Sequence, residues 1–473
     1  MLFNSPAFFV FLPIVFALYW LTRSQKARNI ILLVASYVFY GWWEPKFLLL
    51  IIASSTIDYC IGVTLGRTQD LSRRRLLLGV SVAANLGMLG VFKYYNFFVD
   101  SLREALGSIG VGIQLDSLDL ILPVGISFYT FQTLSYTIDV YRGKLEPTSD
   151  GIAFFTFVAF FPQLVAGPIE RATHLLNQFD SSRSFSFESG REGMRRILYG
   201  LFKKVVIADQ CGVAVNHIFA NHESMSGSTL VVGAVLFAFQ IYGDFSGYSD
   251  IAIGSAKLFG IDLMDNFKLP YFSRDPAEFW RRWHVSLSSW FRDYVYIPLG
   301  GSRHGTATTI RNTCIVFVVS GLWHGANWTF VIWGLLHWLF FLPLLLSERN
   351  RQHVESVVAE QSVFPRFVEL VQMMVTFGLV TFAWVFFRAE STLEAMEYLG
   401  GIFDVSLFSW PTVRSPLWWI GLLLSWEWLQ RCRRHPGDVS HLPMVVRWLL
   451  YLLVAVLILA HHQENSEFIY FQF

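Results

Sequence analysis

An all-helical chain that crosses a membrane many times is the fold class this sequence predicts, and three observations predict it. Residues of the AVILMFWYC set make up 54% and charged residues 15%, where a soluble chain carries roughly 25% charge. Apolar stretches of about 20 residues, enough for a helix to cross a bilayer, recur along the chain. Aromatics reach 17%, with 45 Phe and 17 Trp, and Trp and Tyr collect where spans meet the membrane surface. The 473 residues would make two or three soluble domains. No soluble domain, long Pro/Ser-rich linker or internal repeat interrupts the apolar pattern, so residues 1–473 read as one membrane domain. A net charge of +1 gives no field for nucleic acid. Cys60, Cys211, Cys314 and Cys432 form no CxxC pair, so neither a zinc site nor a disulfide framework is expected. The start lacks a basic segment and a small-residue cleavage site, and it reads as a retained first span.

Apolar segments place spans near 6–22, 29–43, 46–65, 76–98, 119–140, 151–167, 229–259, 312–346, 367–387, 416–430 and 445–460. Lys and Arg mark the inner side of short loops. Arg23, Lys26 and Arg28, then Arg67 with Arg73–Arg75, then Arg142 and Lys144, fall inside. The first end of the chain falls outside. Parity then fails. Residues 171–204 carry seven Lys and Arg, an inside signature, yet a crossing at 151–167 would put them outside. A re-entrant 151–167 repairs the count, with breaks at Pro162 and Gly167–Pro168. Arg303 and Arg311 before 312–346, and Arg349 and Arg351 after it, are also both inside. That stretch crosses an even number of times or dips and returns. Its middle, Ser320 to Trp328, sets His324 between Gly321 and Gly325 as a hinge. Residues 388–415 hold two Arg against four acids and lie outside, Arg431–Arg434 inside, and the 461–467 tail outside.

Ionisable groups at membrane depth are expensive, so each is a candidate for function. His324 can act as a general base near neutral pH; it can equally be a hydrogen-bonded tie between helices. The stretch Phe279 to Tyr294, taken as one helix, puts Trp280, His284, Leu287 and Phe291 near one side. Arg281 and Arg282 there would bind an anionic donor such as coenzyme A phosphates, or touch lipid headgroups as interfacial helices do. Asp244 and Asp250, mid-span in 229–259, cannot both face lipid. They orient a His, pair with an Arg, line a polar tunnel or belong to a structural network. Walker A, Rossmann, HExxH and GxSxG signatures are absent, and the histidines make no metal-ligand pattern beyond a weak reading of His461–His462. No metal is expected.

With those residues in view, the sequence resembles the membrane-bound O-acyltransferase family, and within it the bacterial branch that O-acetylates alginate. The resemblance runs through Ala35–Trp43, Leu122–Gln132, Phe161–Ile169, Asp244–Asp250, Trp280–Gly301 and Ser320–Trp328. It implies a ring of about 10–13 helices with broken, re-entrant segments around a central tunnel, within the span count that apolar length allows. It implies catalytic roles for His324 and His284; Trp280, Arg281, Arg282, Asp244, Asp250, Trp323 and Asn327 are candidates beside them for binding the donor or lining the tunnel. His324 would deprotonate an attacking hydroxyl, and His284 would orient the donor or stabilise charge on its oxygen. The implied reaction carries acetyl from a cytoplasmic thioester, acetyl-CoA, across a bacterial inner membrane, with no bound cofactor. The implied partners are a periplasmic acetyltransferase of the SGNH type and the machinery that makes and secretes an exopolysaccharide, alginate or cellulose, in a biofilm. A transporter or flippase of acyl or saccharide precursors is the alternative from another class, and D-alanyl transfer the alternative within the family. The end, Phe468–Phe473, carries one hydroxyl, and Tyr470 there reads as a possible first acyl acceptor or as part of a tail packed on the membrane surface.

Overall fold

The computed structural model describes residues 1–165, 167–354, 356–463 and 468–469. Among these the chain is helical throughout its ordered elements, with no strand. Two compact units divide it: Met1–Gly193 with Ser255–Met264, and Met194–Gly254 with the chain from Asp265 on.

In the first unit, α1 (Pro6–Leu21) and α2 (Gln25–Gly41) each start on a serine whose hydroxyl accepts a free backbone N–H. Next come α3 (Phe47–Arg67), α4 (Leu71–Leu89) and α5 (Tyr95–Ser108). A π-helical turn at Gly90–Tyr94 joins α4 to α5 in one 38-residue rod, about 57 Å long and well beyond one bilayer crossing. The span expected at 119–140 begins only at Ile126, as α6 (Ile126–Tyr141), after Gly125 at φ 76°. A buried polar knot ties α3, α4 and α6. Asp58 accepts from Ser81, from Asn85 at 2.7 Å and from Thr137 at 2.9 Å. Such ties replace the hydrophobic drive that helices lack inside lipid. The segment expected to be broken is broken: α7 (Gly151–Ala159) stops at Phe160 (ψ 109°), and α8 (Phe161–Leu164) is a single turn with Pro162 near its start. α9 (Ala172–Asp180) closes this part of the unit, and α10 (Phe187–Leu201) leads out of it.

The second unit holds a π-helical turn at Phe202–Ala208, α11 (Asp209–Ala220) and α12 (Gly227–Leu258), the most buried of the long apolar helices. Two short helices follow, α13 (Pro276–Arg282) and α14 (Val285–Phe291). The stretch at 312–346, too long for one span and short for two, proves to start earlier. It is a hairpin of two 19-residue helices, α15 (Thr306–His324) and α16 (Trp328–Leu346). Gly321 and Gly334 let the two backbones touch: a Cβ at either would run into the carbonyl of Phe330 or Phe317. After them come α17 (Phe367–Arg388), α18 (Thr392–Ile402), α19 (Leu417–Gln430) and α20 (Met444–His461).

Among the described residues, six stretches are long and apolar enough to cross a membrane: α3, the α4–α5 rod, α12, α16, α17 and α20. Fewer segments qualify than the eleven apolar runs of the sequence, because several runs form shorter or more polar helices such as α1, α6 and α15. The chain is a multi-pass membrane protein.

Candidate functional site

The two histidines singled out from sequence meet. His324 ends α15, and its ring centroid lies 6.4 Å from that of His284. Both are buried. Aromatic rings wall them in: Trp323 at 5.0 Å, Trp333 at 5.1 Å and Phe387 at 5.3 Å from His324, and Phe245 at 4.6 Å from His284. Such walls exclude water and strengthen any polar interaction made inside them.

The expectation of one continuous helix from Phe279 to Tyr294 is overturned. The helix stops at Arg282, and His284 takes a left-handed conformation (φ 45°) before α14 begins. The physical cause is Asn266. Its backbone carbonyl accepts from Val285 N (3.0 Å), and its side-chain Oδ1 meets His284 Nδ1 (3.1 Å) and accepts from Ser286 Oγ (2.9 Å). Asn266 Nδ2 in turn donates to Ser249 Oγ on α12 (3.2 Å). A carbonyl oxygen can only accept, so the His284 proton sits on Nδ1 and Nε2 carries a lone pair. Nε2 is buried with no hydrogen-bond partner among the described residues. The strained backbone is therefore held from several sides, as strain at functional positions is. Trp280, placed by sequence on the same face as His284, instead packs against Trp333 (5.7 Å) and His337 (4.9 Å).

The acids of α12 pair with lysines and an arginine. Asp250 bonds Arg196 Nε (2.8 Å) and Lys203 Nζ (2.6 Å), and Asp244 bonds Lys204 Nζ (2.8 Å). Asp244 also accepts from the Ile469 backbone N–H (2.6 Å). The neighbouring Phe468 ring lies 4.2 Å from Tyr248 and 6.4 Å from Phe245, the residue edge-on to His284. This end of the chain thus reaches the wall of the histidine pair. Tyr470 lies outside the described residues. Asn327 caps α16, accepting from Thr329 N (3.1 Å), and donates to the Glu390 carbonyl (2.9 Å).

Below His284 in the chain, Arg281 donates to the carbonyls of Asn350 (2.9 Å) and His353 (3.4 Å). Arg282 pairs with Glu278 (2.7 Å), which also meets Arg274 (3.0 Å). Burial alone would raise the Glu278 carboxyl, but Arg274 and Arg282 hold it below its ordinary value. Arg281 and Arg282 line a cavity of about 470 Å³ whose described walls carry eight Lys and Arg against three carboxylates. Lys268, Arg433, Arg434 and His435 belong to it, and Phe267, whose ring stacks 6.4 Å from that of His284, lies in its wall beside the histidine pair. His435 Nδ1 accepts from Gly437 N (2.8 Å), so its Nε2–H is the free edge. Burial lowers this imidazole to about 4, keeping it neutral. Sequence reasoning missed Asn266, Trp333 and the 431–435 contribution. The cluster of arginines at 431–434 was visible only as a topology signal.

The family model described as MBOAT, membrane-bound O-acyltransferase family, matches residues 147–385. The probable alginate O-acetylase of Pseudomonas putida is 44% identical over 411 residues, 85% of this chain and 80% of its own length. The peptidoglycan O-acetyltransferase of Helicobacter pylori is 35% identical over 441 residues, covering 86% and 81%. The teichoic acid D-alanyltransferase of Bacillus subtilis is 26% identical over 287 residues, covering 58% and 70%.

Proposed function

Because the chain belongs to the membrane-bound O-acyltransferase family and is an acyltransferase, we propose that it moves acetyl groups from a cytoplasmic thioester to the O-acetylation of an exopolysaccharide. The observation that carries this reading is the histidine pair: two segments far apart in sequence bring His284 and His324 to 6.4 Å inside an aromatic wall. His324 removes the proton of the attacking hydroxyl as it adds to the thioester carbonyl; the C–S bond then breaks, and the thiolate leaves as the thiol with the proton that His324 returns. His284 presents a lone pair at Nε2, so it accepts a hydrogen bond from an N–H of the acyl donor and orients that donor against the hydroxyl held by His324. The sequence-based role of stabilising an oxyanion needs a donor, and the Nδ1 contact to Asn266 leaves none at Nε2.

The basic cavity supports a phosphate-bearing donor such as acetyl-CoA. Arg281, Arg282, Arg433 and Arg434 supply positive charge, and the His435 edge supplies a neutral donor. Tyr470 as first acyl acceptor fits the docking of Phe468 and Ile469 beside Asp244. A periplasmic acetyltransferase and the exopolysaccharide secretion machinery would then take the acetyl outward from the inner membrane. Alginate and cellulose both suit this chemistry. The greater identity to the O-acetylating relatives favours acetyl over D-alanyl cargo, and family membership favours transfer over transport.

The experiment is the O-acetyl content of the host exopolysaccharide with His324→Ala, at matched levels of the chain in the membrane. Loss of acetyl is expected, and a general base contributes roughly 10²–10⁴-fold to such a step. Full acetylation by this variant would remove His324 from the mechanism.

A further inference from the structure

Away from the histidine pair, a second set of side chains has the chemistry of a metal site. His222 lies on the 3₁₀ turn His222–Ser224, between α11 and α12. Its Nδ1 is 2.9 Å from the Phe219 carbonyl. A carbonyl only accepts, so Nδ1 carries the proton and Nε2 the lone pair. Nε2 is buried and has no hydrogen-bond partner among the described residues. It faces Glu397 on α18, with Oε2 at 3.8 Å, and the ligand atoms of His222, Glu223 and Glu397 all lie within 4.8 Å of one another.

The surroundings hold these elements in place. Phe219 stacks on Tyr398 at 4.3 Å, and the Tyr398 hydroxyl donates to the Leu230 carbonyl at the start of α12 (2.7 Å). The His222 ring lies 6.2 Å from the same tyrosine. The end of α11, the start of α12 and the body of α18 therefore meet around one aromatic pair. Two carboxylates this close repel each other unless a cation lies between them.

We propose that His222, Glu223 and Glu397 bind one divalent transition-metal ion, best matched by Zn²⁺. One imidazole nitrogen and two carboxylates give three protein ligands and leave a position for water. The nitrogen ligand selects against Mg²⁺ and Ca²⁺, which take oxygen ligands. The Phe219 carbonyl on the far ring nitrogen is the contact that fixes the tautomer of a metal-binding histidine. The ion would fasten the turn before α12 to α18, on the side where the acid-rich 388–415 segment reads as outside. The site is independent of the acyl-transfer reading.

The test uses the full chain purified in detergent, stripped with a chelator and titrated with Zn²⁺ alone. Bound metal and the midpoint of thermal unfolding are measured for the wild type, for His222→Ala, and for Glu397→Gln, whose side chain is half exposed and keeps its size. His461→Ala with His462→Ala serves as the control for the other histidine pair. The expected result is one ion bound and a raised midpoint in the wild type and the control. Affinity should fall at least tenfold in Glu397→Gln, and the shift should vanish in His222→Ala. Equal uptake by the wild type and Glu397→Gln, or no uptake by the wild type, would overturn the proposal.

Discussion

Asn266 shows how one uncharged residue sets the chemistry of another. Its side chain fixes the proton of His284 on Nδ1, and its backbone carbonyl receives Val285 N, holding His284 in the left-handed region. Asn266→Ala removes a buried hydrogen bond worth about 1–3 kcal/mol, so acetyl transfer should drop by tenfold or more at ordinary membrane levels of the chain. Comparison with Asn266→Asp, whose carboxylate oxygen still accepts from His284 Nδ1, distinguishes this from simple loss of structure: transfer recovers in that variant where Asn266 acts by positioning His284. Both histidines were legible in the sequence because ionisable groups are rare at membrane depth. Asn266 was not, since it sits in the irregular 259–275 segment with no motif around it. The role given to Asn327 as a binding residue gains no support from its position, where it caps α16.

Among the elements, the α15–α16 hairpin carries the most weight, because it holds His324 at its turn. Gly321 and Gly334 set how closely the two helices approach. Gly334→Val should splay them and lower stability by about 1–3 kcal/mol, the usual range for overpacking; the check is the thermal midpoint in detergent alongside transfer activity. The sequence located the break around His324 and the one near Pro162, since glycine and proline punctuate helices. It misjudged the 279–294 stretch as one helix, because helical spacing in a sequence carries no trace of a distant asparagine pulling one residue into another conformation. The basic loop at 431–434 belongs to this scale too. Arg433→Glu with Arg434→Glu should raise KM for the donor and leave kcat nearly unchanged, with a steeper loss at high salt in the wild type than in the variant. A fall in kcat with unchanged KM would detach this loop from donor binding.

For the whole molecule, the strongest statement concerns sidedness. Cys432 is exposed within Arg431–Arg434, and Val405 is exposed in the acid-rich 388–415 segment. In a chain with Cys60, Cys211 and Cys314 replaced, a membrane-impermeant thiol reagent should label Cys432 only after the membrane is breached. With Cys432 also replaced, Val405→Cys should be labelled in intact cells. The opposite pattern would reverse the topology. By itself the sequence determined that the chain is helical and multi-pass, which loops are basic, where two segments break, and which histidines are candidates. These follow from composition, apolar length and local punctuation, all of which are properties of neighbouring residues. Only the tertiary structure decided that His284 faces His324, that Asn266 sets its tautomer, that the arginines of α13 and of the 431–434 loop share one cavity with His435, and that Glu397 meets His222. Each of these joins residues from separate helices, and the packing that joins them has no period or spacing that a linear sequence could display.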